Sequence, residues 1–203
     1  MHTVYTIGHS NHNISTFINL LKKNGITALA DVRSHPYSRY APQYSMEPLK
    51  KAMANADIAY VFLGKELGAR SENPACYTQG KVQYSRLAEE QIFLAGIDRV
   101  IQGMKKYRIA LMCAEKDPIE CHRALLVARK LFESGIQISH ILANGSLETH
   151  EDFESRLLYL CNLPEGDMFN SREEFLVKAY SIQGDRVAYE DSAMAEREQL
   201  AAS

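Results

Sequence analysis

The chain has 203 residues, a formal net charge of −2 and an apolar share of 46%, which suits a packed core and excludes wholesale disorder. That charge excludes a global pull onto nucleic acid; binding of that kind needs a local basic patch. The opening Met-His-Thr-Val-Tyr-Thr-Ile lacks the charged and long apolar regions of a signal peptide, and no apolar run approaches membrane-spanning length. A cytoplasmic protein with no membrane partner is therefore expected. Its four cysteines, Cys76, Cys113, Cys121 and Cys161, are read as thiols or ligands rather than disulfides. The absence of any Cys-x-x-Cys pair speaks against a structural zinc knuckle.

Residues 4–7 read as a first strand, followed by the turn Gly8-His9-Ser10-Asn11. Ile14, Phe17, Ile18, Leu20 and Leu21 recur with helical spacing until Asn24-Gly25 ends the helix. A second strand over 26–30 leads into Asp31-Val-Arg33, then a polar, Tyr- and Pro-bearing loop over 34–45 and a short helix near 47–55. A third strand over 58–63 precedes a long loop, 64–80, that carries Glu66, Arg70 and Cys76. Residues 84–106 read as one helix, and the apolar run 108–112 as a fourth strand. Asp117 as N-cap and Pro118 at the first helical position then open a helix that ends at Glu133-Ser-Gly135. A fifth strand spans 136–142. Residues 150–180 read mostly as helix, broken at Leu163-Pro-Glu-Gly166, with a strand or hairpin over 181–189. The Ala-rich, charged tail 191–203 is expected to be frayed or disordered.

Strands alternating with helices predict an α/β protein with a three-layer Rossmann-like fold. Its sheet is mostly parallel, of about five strands, with helices on both faces and a helical C-terminal segment. Residues 1–190 are expected to form one domain, with its core in 1–145 and a helical addition at 150–190.

In such a sheet the loops after the first four strands converge on the carboxyl edge, where open α/β sheets bind ligands. Those loops carry His9 and Ser10, then Asp31, Arg33 and Arg39, then Glu66 and Arg70, and finally Glu115 with Cys121, His122 and Arg123. His9, Asp31 and Cys121 are the candidate catalytic groups; the others are candidate ligand-binding groups. Each also has a plainer reading. Cys121 shares a helical stripe with Leu125, Ala128 and Phe132, which fits a buried core thiol as well as a reactive one at a helix start. By the 3.6-residue period His122 and Arg123 point away from it, so the three are not expected to meet. His9 fits a turn histidine bonded to backbone, Asp31 a loop ion pair with Arg33 or Arg39, and Cys113 an inert thiol at a strand end. Arg33, Arg39, Arg70 and Arg123 together would suit an anion, since guanidinium binds phosphate bidentately. Tyr37, Tyr40, Tyr44 and Tyr77 among them could stack on bases.

Dinucleotide, Walker, His-Glu-x-x-His and Gly-x-Ser-x-Gly signatures are absent. Thr6-Ile-Gly-His-Ser10, Asp31-Val-Arg33 with Pro36 and Ser38-Arg39, Leu67-Gly68 with Arg70, and Cys113-Ala-Glu-Lys-Asp-Pro-Ile-Glu-Cys-His-Arg123 resemble the domain-of-unknown-function 488 family. The resemblance runs in order through about the first 145 residues. It implies a small Rossmann-like α/β domain of bacteria and archaea and no established activity. His35 departs from the aromatic or other residue that members often carry there.

The first functional expectation is an enzyme or ligand-dependent protein acting on a phosphate-bearing molecule, such as a nucleotide or a nucleic-acid end. A second is a non-catalytic module binding nucleic acid or a partner through the same face. The third is a transition-metal-dependent enzyme with ligands among His9, Cys113, Cys121 and His122. These residues name no cofactor and leave the oligomeric state open. Five of the candidates, His9, Asp31, Arg33, Arg39 and Arg123, are expected to line one pocket.

Overall fold

Period-two alternation along the strands determines which layer each side chain joins. The structure is a computed structural model describing residues 3–195. In chain order the strands are β1 (Thr3–Gly8), β2 (Ala28–Asp31), β3 (Ala59–Phe62), β4 (Tyr77–Thr78), β5 (Lys81–Val82), β6 (Ile109–Cys113), β7 (Gln137–Ile141) and β8 (Leu147–Thr149). Six of them form one sheet in the order β3-β2-β6-β1-β7-β8, and β4 pairs with β5 as a separate small hairpin. All pairings in the large sheet are parallel except β7 with β8. β8 is the strand beyond the expected five. It has one apolar residue, Leu147, and follows the Asn144-Gly145 turn, so it carries no alternation signal.

Tyr5 and Ile7 of β1, Leu29 of β2 and Met112 of β6 pack on one face against α1 (Ile14–Lys23) and α2 (Met46–Asn55), through Phe17, Leu21, Leu49 and Met53. Val4, Ala30, Leu111 and Cys113 face the other way, toward Phe93, Ile97 and Val100 of a longer helix. Between them lie α3 (Gly64–Leu67) and α4 (Tyr84–Leu87); the longer helix is α5 (Gln91–Gly103) and the next is α6 (Arg129–Glu133). A third apolar cluster joins α7 (His150–Leu160) and α8 (Arg172–Val187) to Ile119, Ala124 and Leu125. Each fully buried Leu or Phe in these clusters contributes about 1.5–3 kcal/mol. The result is the expected three-layer α/β architecture with C-terminal helices.

Four expectations need correction. The 84–106 segment is two helices, because i→i−3 bonds from Glu89 N–H to Arg86 and from Glu90 N–H to Leu87 end α4, and Asn73 holds the Glu90 carboxylate at the start of α5. Residues 64–80 contain a helical turn and half of the β4–β5 hairpin. No strand forms over 181–189: α8 runs to Val187, anchored by buried Gln183, which donates to the Ile119 carbonyl at 3.0 Å. Beyond α8, Asp191 N–H bonds the Gly80 carbonyl of the β4–β5 turn, and the Asp191 carboxylate caps Ala193 and Met194. Of the tail expected to be frayed or disordered, residues 196–203 lie outside the described residues.

The helix expected from Asp117 differs most. Asp117 does cap, accepting from Ile119 N–H, and Pro118 follows, but the turn is a single 3-10 turn, Pro118–Glu120. Cys121 is then extended, at φ −140° and ψ 135°. The chain re-enters helix at His122 and runs as a π-helical turn, Arg123–Ala128, into α6.

Candidate functional site

Register places the chemistry. Gly8 pairs with Cys113 and Asp31 with Met112, so β1, β2 and β6 end side by side at one edge. Gly8 must be glycine there: a Cβ would collide with the Glu115 carbonyl oxygen. With no side chain in the way, the loop after β1 lies directly on the loop after β6, through His9 N–H to the Cys113 carbonyl and Ser10 N–H to the Ala114 carbonyl, both 2.9 Å. Above this edge lies a cleft of about 350 Å³ whose walls include His9, Arg33, Arg70, Tyr84, Glu115 and His122.

Buried groups hold His9 in one orientation. Its Nδ1 lies 2.8 Å from the Ser10 carbonyl, which can only accept, so Nδ1 carries the proton. Its ring stacks on Tyr44 at 4.1 Å, and Nε2 accepts a long bond from Arg33 Nη1 at 3.4 Å. Burial lowers its pKa, the Ser10 bond opposes and Arg33 adds to the lowering, so the ring is neutral at neutral pH. Asp31 is fully buried and takes both Nε and Nη2 of Arg33, at 2.9 and 2.7 Å. Tyr60 donates to the same carboxylate at 2.8 Å, and Arg33 Nη2 also reaches the Tyr44 carbonyl. Asp31 thus fixes Arg33, which leaves Nη1 directed at His9.

The second group centres on Cys121. Its S–H points at Glu115 Oε2, 2.9 Å away, and its sulfur accepts Arg123 N–H at 3.5 Å. The His122 ring donates Nε2–H to the Val32 carbonyl at 3.0 Å, which turns Nδ1 toward Cys113 Sγ at 3.7 Å and Cys121 Sγ at 4.0 Å. Because Cys121 is extended rather than helical, its sulfur and the His122 ring come together, contrary to the helical expectation, while Arg123 reaches that sulfur only through its backbone N–H. Arg123 is wholly buried: Nη1 donates to the Glu115 carbonyl at 2.8 Å, Nη2 to Lys116, and Nε has no partner. Among the described residues no carboxylate pairs with it.

Protonation follows from this crowding. Burial alone would raise the Cys121 pKa, but the Cys113 hydrogen bond and the Arg123 and His122 charges outweigh it, and the thiol is held well below its ordinary range. Cys113, bonded to that sulfur and buried, is pushed well above. Burial and the adjacent Cys121 charge raise Glu115. Burial opposes the charged form of His122, yet the Cys121 bond and charge raise its pKa.

Of the other expected residues, Ser10 sits in a left-handed turn at φ 48°, bonded to Asn11. Arg70 reaches the cleft rim, over the Tyr189 ring at 4.2 Å and beside His35. Arg39 is exposed and outside the cleft, and Glu66 faces α5, paired with Arg99. The expected five-residue pocket lining is therefore met by His9 and Arg33; Asp31 and Arg123 stand behind the wall. Tyr60 and Tyr84 are site residues that the sequence does not single out, and Tyr44, expected to stack on a base, stacks on His9. Tyrosine-rich composition marked the region around Tyr44, but nothing at Tyr60 or Tyr84 distinguishes them from core aromatics.

The model of one family, Domain of unknown function DUF488, matches residues 13–130, which carry Asp31, Arg33 and the Cys113–Arg123 segment. The chain belongs to that family. No curated protein and no solved structure matches it. No helix among the described residues is long and apolar enough to cross a membrane.

Proposed function

We propose that this member of the DUF488 family is an enzyme that holds a small anionic molecule in the cleft, with His9 as the general base. One observation carries the reading: His9 is a neutral imidazole whose Nδ1–H is fixed on the Ser10 carbonyl, so that Nε2, held only by the long 3.4 Å bond from Arg33 Nη1, takes a proton at the cleft wall. Asp31 serves it indirectly, by fixing Arg33 beside that nitrogen. Glu115 shares the cleft wall with His9, and Cys121, buried behind that wall, is hydrogen-bonded to the Glu115 carboxylate, so a second proton-exchanging group lies beside the bound molecule.

The anion site is narrower than four arginines would make it. Arg33 is committed to Asp31, Arg123 to two carbonyls, and Arg39 is elsewhere. Arg70, with the remaining Arg33 N–H, supports a single anionic group, a phosphate or a carboxylate, rather than an extended nucleic-acid backbone. Glu115 and Glu120 on the same walls further disfavour a polyanion.

A thermal-shift panel of inorganic phosphate, sulfate, small carboxylates and nucleoside monophosphates at low salt tests binding. Stabilisation by at least one, lost in Arg70→Ala, is expected. Chromogenic phosphate and carboxylate esters test turnover, which should fall on the order of 100-fold or more in His9→Gln with an unchanged melting temperature. No shift and no turnover with any of them would overturn the reading.

A further inference from the structure

At the cleft floor, three side chains turn donor atoms toward one point. Sγ of Cys113 and Sγ of Cys121 lie 3.7 and 4.0 Å from Nδ1 of His122, and all three atoms fall within 4.8 Å of one another. A tetrahedral zinc ion with bonds of about 2.3 Å to sulfur and about 2.0 Å to nitrogen separates such ligands by about 3.5 Å (N···S) and about 3.8 Å (S···S). The cluster therefore closes on an ion with movements of about 1 Å or less.

The surroundings are those a metal site needs. The His122 Nε2–H is held by the Val32 carbonyl, which fixes the ring and leaves the Nδ1 lone pair facing the sulfurs, as outer partners of metal-bound histidines do. Cys113 is placed by the end of β6 and Cys121 by its extended backbone, so the donors sit on rigid elements rather than a loose loop. Arg123 is buried without a carboxylate, and its backbone N–H meets Cys121 Sγ at 3.5 Å, so a ligating thiolate gains a donor and a nearby cation. Two sulfurs and an imidazole select a zinc-class ion over magnesium or calcium.

We propose that Cys113, Cys121 and His122 bind one zinc-class divalent cation whose fourth position opens onto the cleft. Cys113, His122 and Glu115 all line that cleft, and Glu115 Oε2, 2.9 Å from Cys121 Sγ, is the carboxylate within reach of the fourth position. Three protein ligands and one open position are the arrangement of catalytic rather than structural zinc. The ion's role in turnover rests on the enzymatic reading above; its binding does not.

The test uses the full chain, stripped with a chelator under reducing conditions and titrated with cobalt(II), then zinc. One equivalent of cobalt should bind with the intense visible absorption of a tetrahedral ion and a near-ultraviolet thiolate charge-transfer band matching two sulfurs, and zinc should displace it. Cys121→Ser should halve the band and weaken binding beyond the roughly 10–100-fold that loss of an outer partner causes. Cys76→Ser, which alters a buried thiol elsewhere, should change neither. Because substitutions at buried donors can unfold the chain, the wild-type spectrum decides. No uptake at micromolar ion, an octahedral spectrum without a thiolate band, or a Cys113–Cys121 disulfide that forms equally with metal present would overturn the proposal. Uptake without anion stabilisation or turnover would keep the metal site and sink the enzymatic reading. Turnover by stripped protein that takes up no ion would keep the enzymatic reading and sink the metal site.

Discussion

Two groups of buried polar side chains flank the sheet, and they differ in how their protons are shared. Behind β1 and β7, Thr6 donates to His140 Nδ1 at 2.8 Å and His140 Nε2 to His150 Nδ1 at 3.1 Å. His150 Nε2 then donates to Tyr180, and Tyr180 to Glu154, each at 3.1 Å, with Arg172 closing on the carboxylate. Each member gives one proton to the next, so the chain is satisfied in one direction, and of its members only Tyr180 reaches the wall of a second cleft, of about 500 Å³. At the carboxyl edge, two sulfurs, a carboxylate and an imidazole crowd together with too few protons and a guanidinium that lacks a carboxylate. Burial of polar groups does not by itself mark a functional site. A deficit of partners beside an open cleft does.

The largest expected effect breaks the contrast at Arg123. Arg123→Met removes the cation from the crowded cluster and leaves the Glu115 carbonyl unpaired; denaturant unfolding should show a loss of about 3–5 kcal/mol. Iodoacetamide labelling of Cys121 should shift to higher pH as its cationic neighbour disappears. A loss below about 1 kcal/mol would mean the guanidinium is not the cluster's counter-charge.

The closed chain gives the intermediate effect. Burial, aided by Arg129, lowers the His150 pKa to about 3, and burial with the neighbouring His150 lowers His140. The unfolded chain binds protons at these histidines from about pH 6.5 downward while the folded chain does not. Stability from them is therefore complete above that pH and is lost as pH falls, by about 1.4 kcal/mol per unit for His150 alone. Urea midpoints at pH 7, 6 and 5 measure it, and His150→Gln should flatten the slope. A slope unchanged by that substitution would remove His150 as its source.

The smallest effect sharpens the boundary of the cleft. Arg39→Ala should leave both the unfolding midpoint and any anion-induced shift unchanged, since that side chain is exposed and outside the walls. A lost shift would add Arg39 to the anion site.

Much of this was readable beforehand. Apolar runs at residues 4–7, 26–30, 58–63, 108–112 and 136–142 correspond to the five parallel strands, because buried parallel strands are short and nearly all apolar. Right-handed α/β connectivity then brings His9, Asp31 and Cys113 to one edge. The Cys121 conformation was hidden, since Leu125, Ala128 and Phe132 keep helical spacing even though the chain passes through a 3-10 turn, an extended residue and a π turn before reaching α6. Spacing reports which residues are buried; it does not report where a cap ends and the chain starts again. Arg39 and Glu66 share the residue types of site groups, and only tertiary contacts assign Glu66 to Arg99.

The π turn, Arg123–Ala128, works as a built-in phase shift. A wider turn takes up one more residue than an α turn, so the segment before it is rotated by roughly 100° relative to an uninterrupted α-helix. All six of its residues are buried, divided between the sheet layer and the α7–α8 layer. Removing a single residue there would take one side chain from a buried layer and also rotate Cys121 and His122 away from the sheet edge. In this stretch an insertion or deletion would damage the site more than most substitutions, which places the segment's spacing, as much as its chemistry, under constraint.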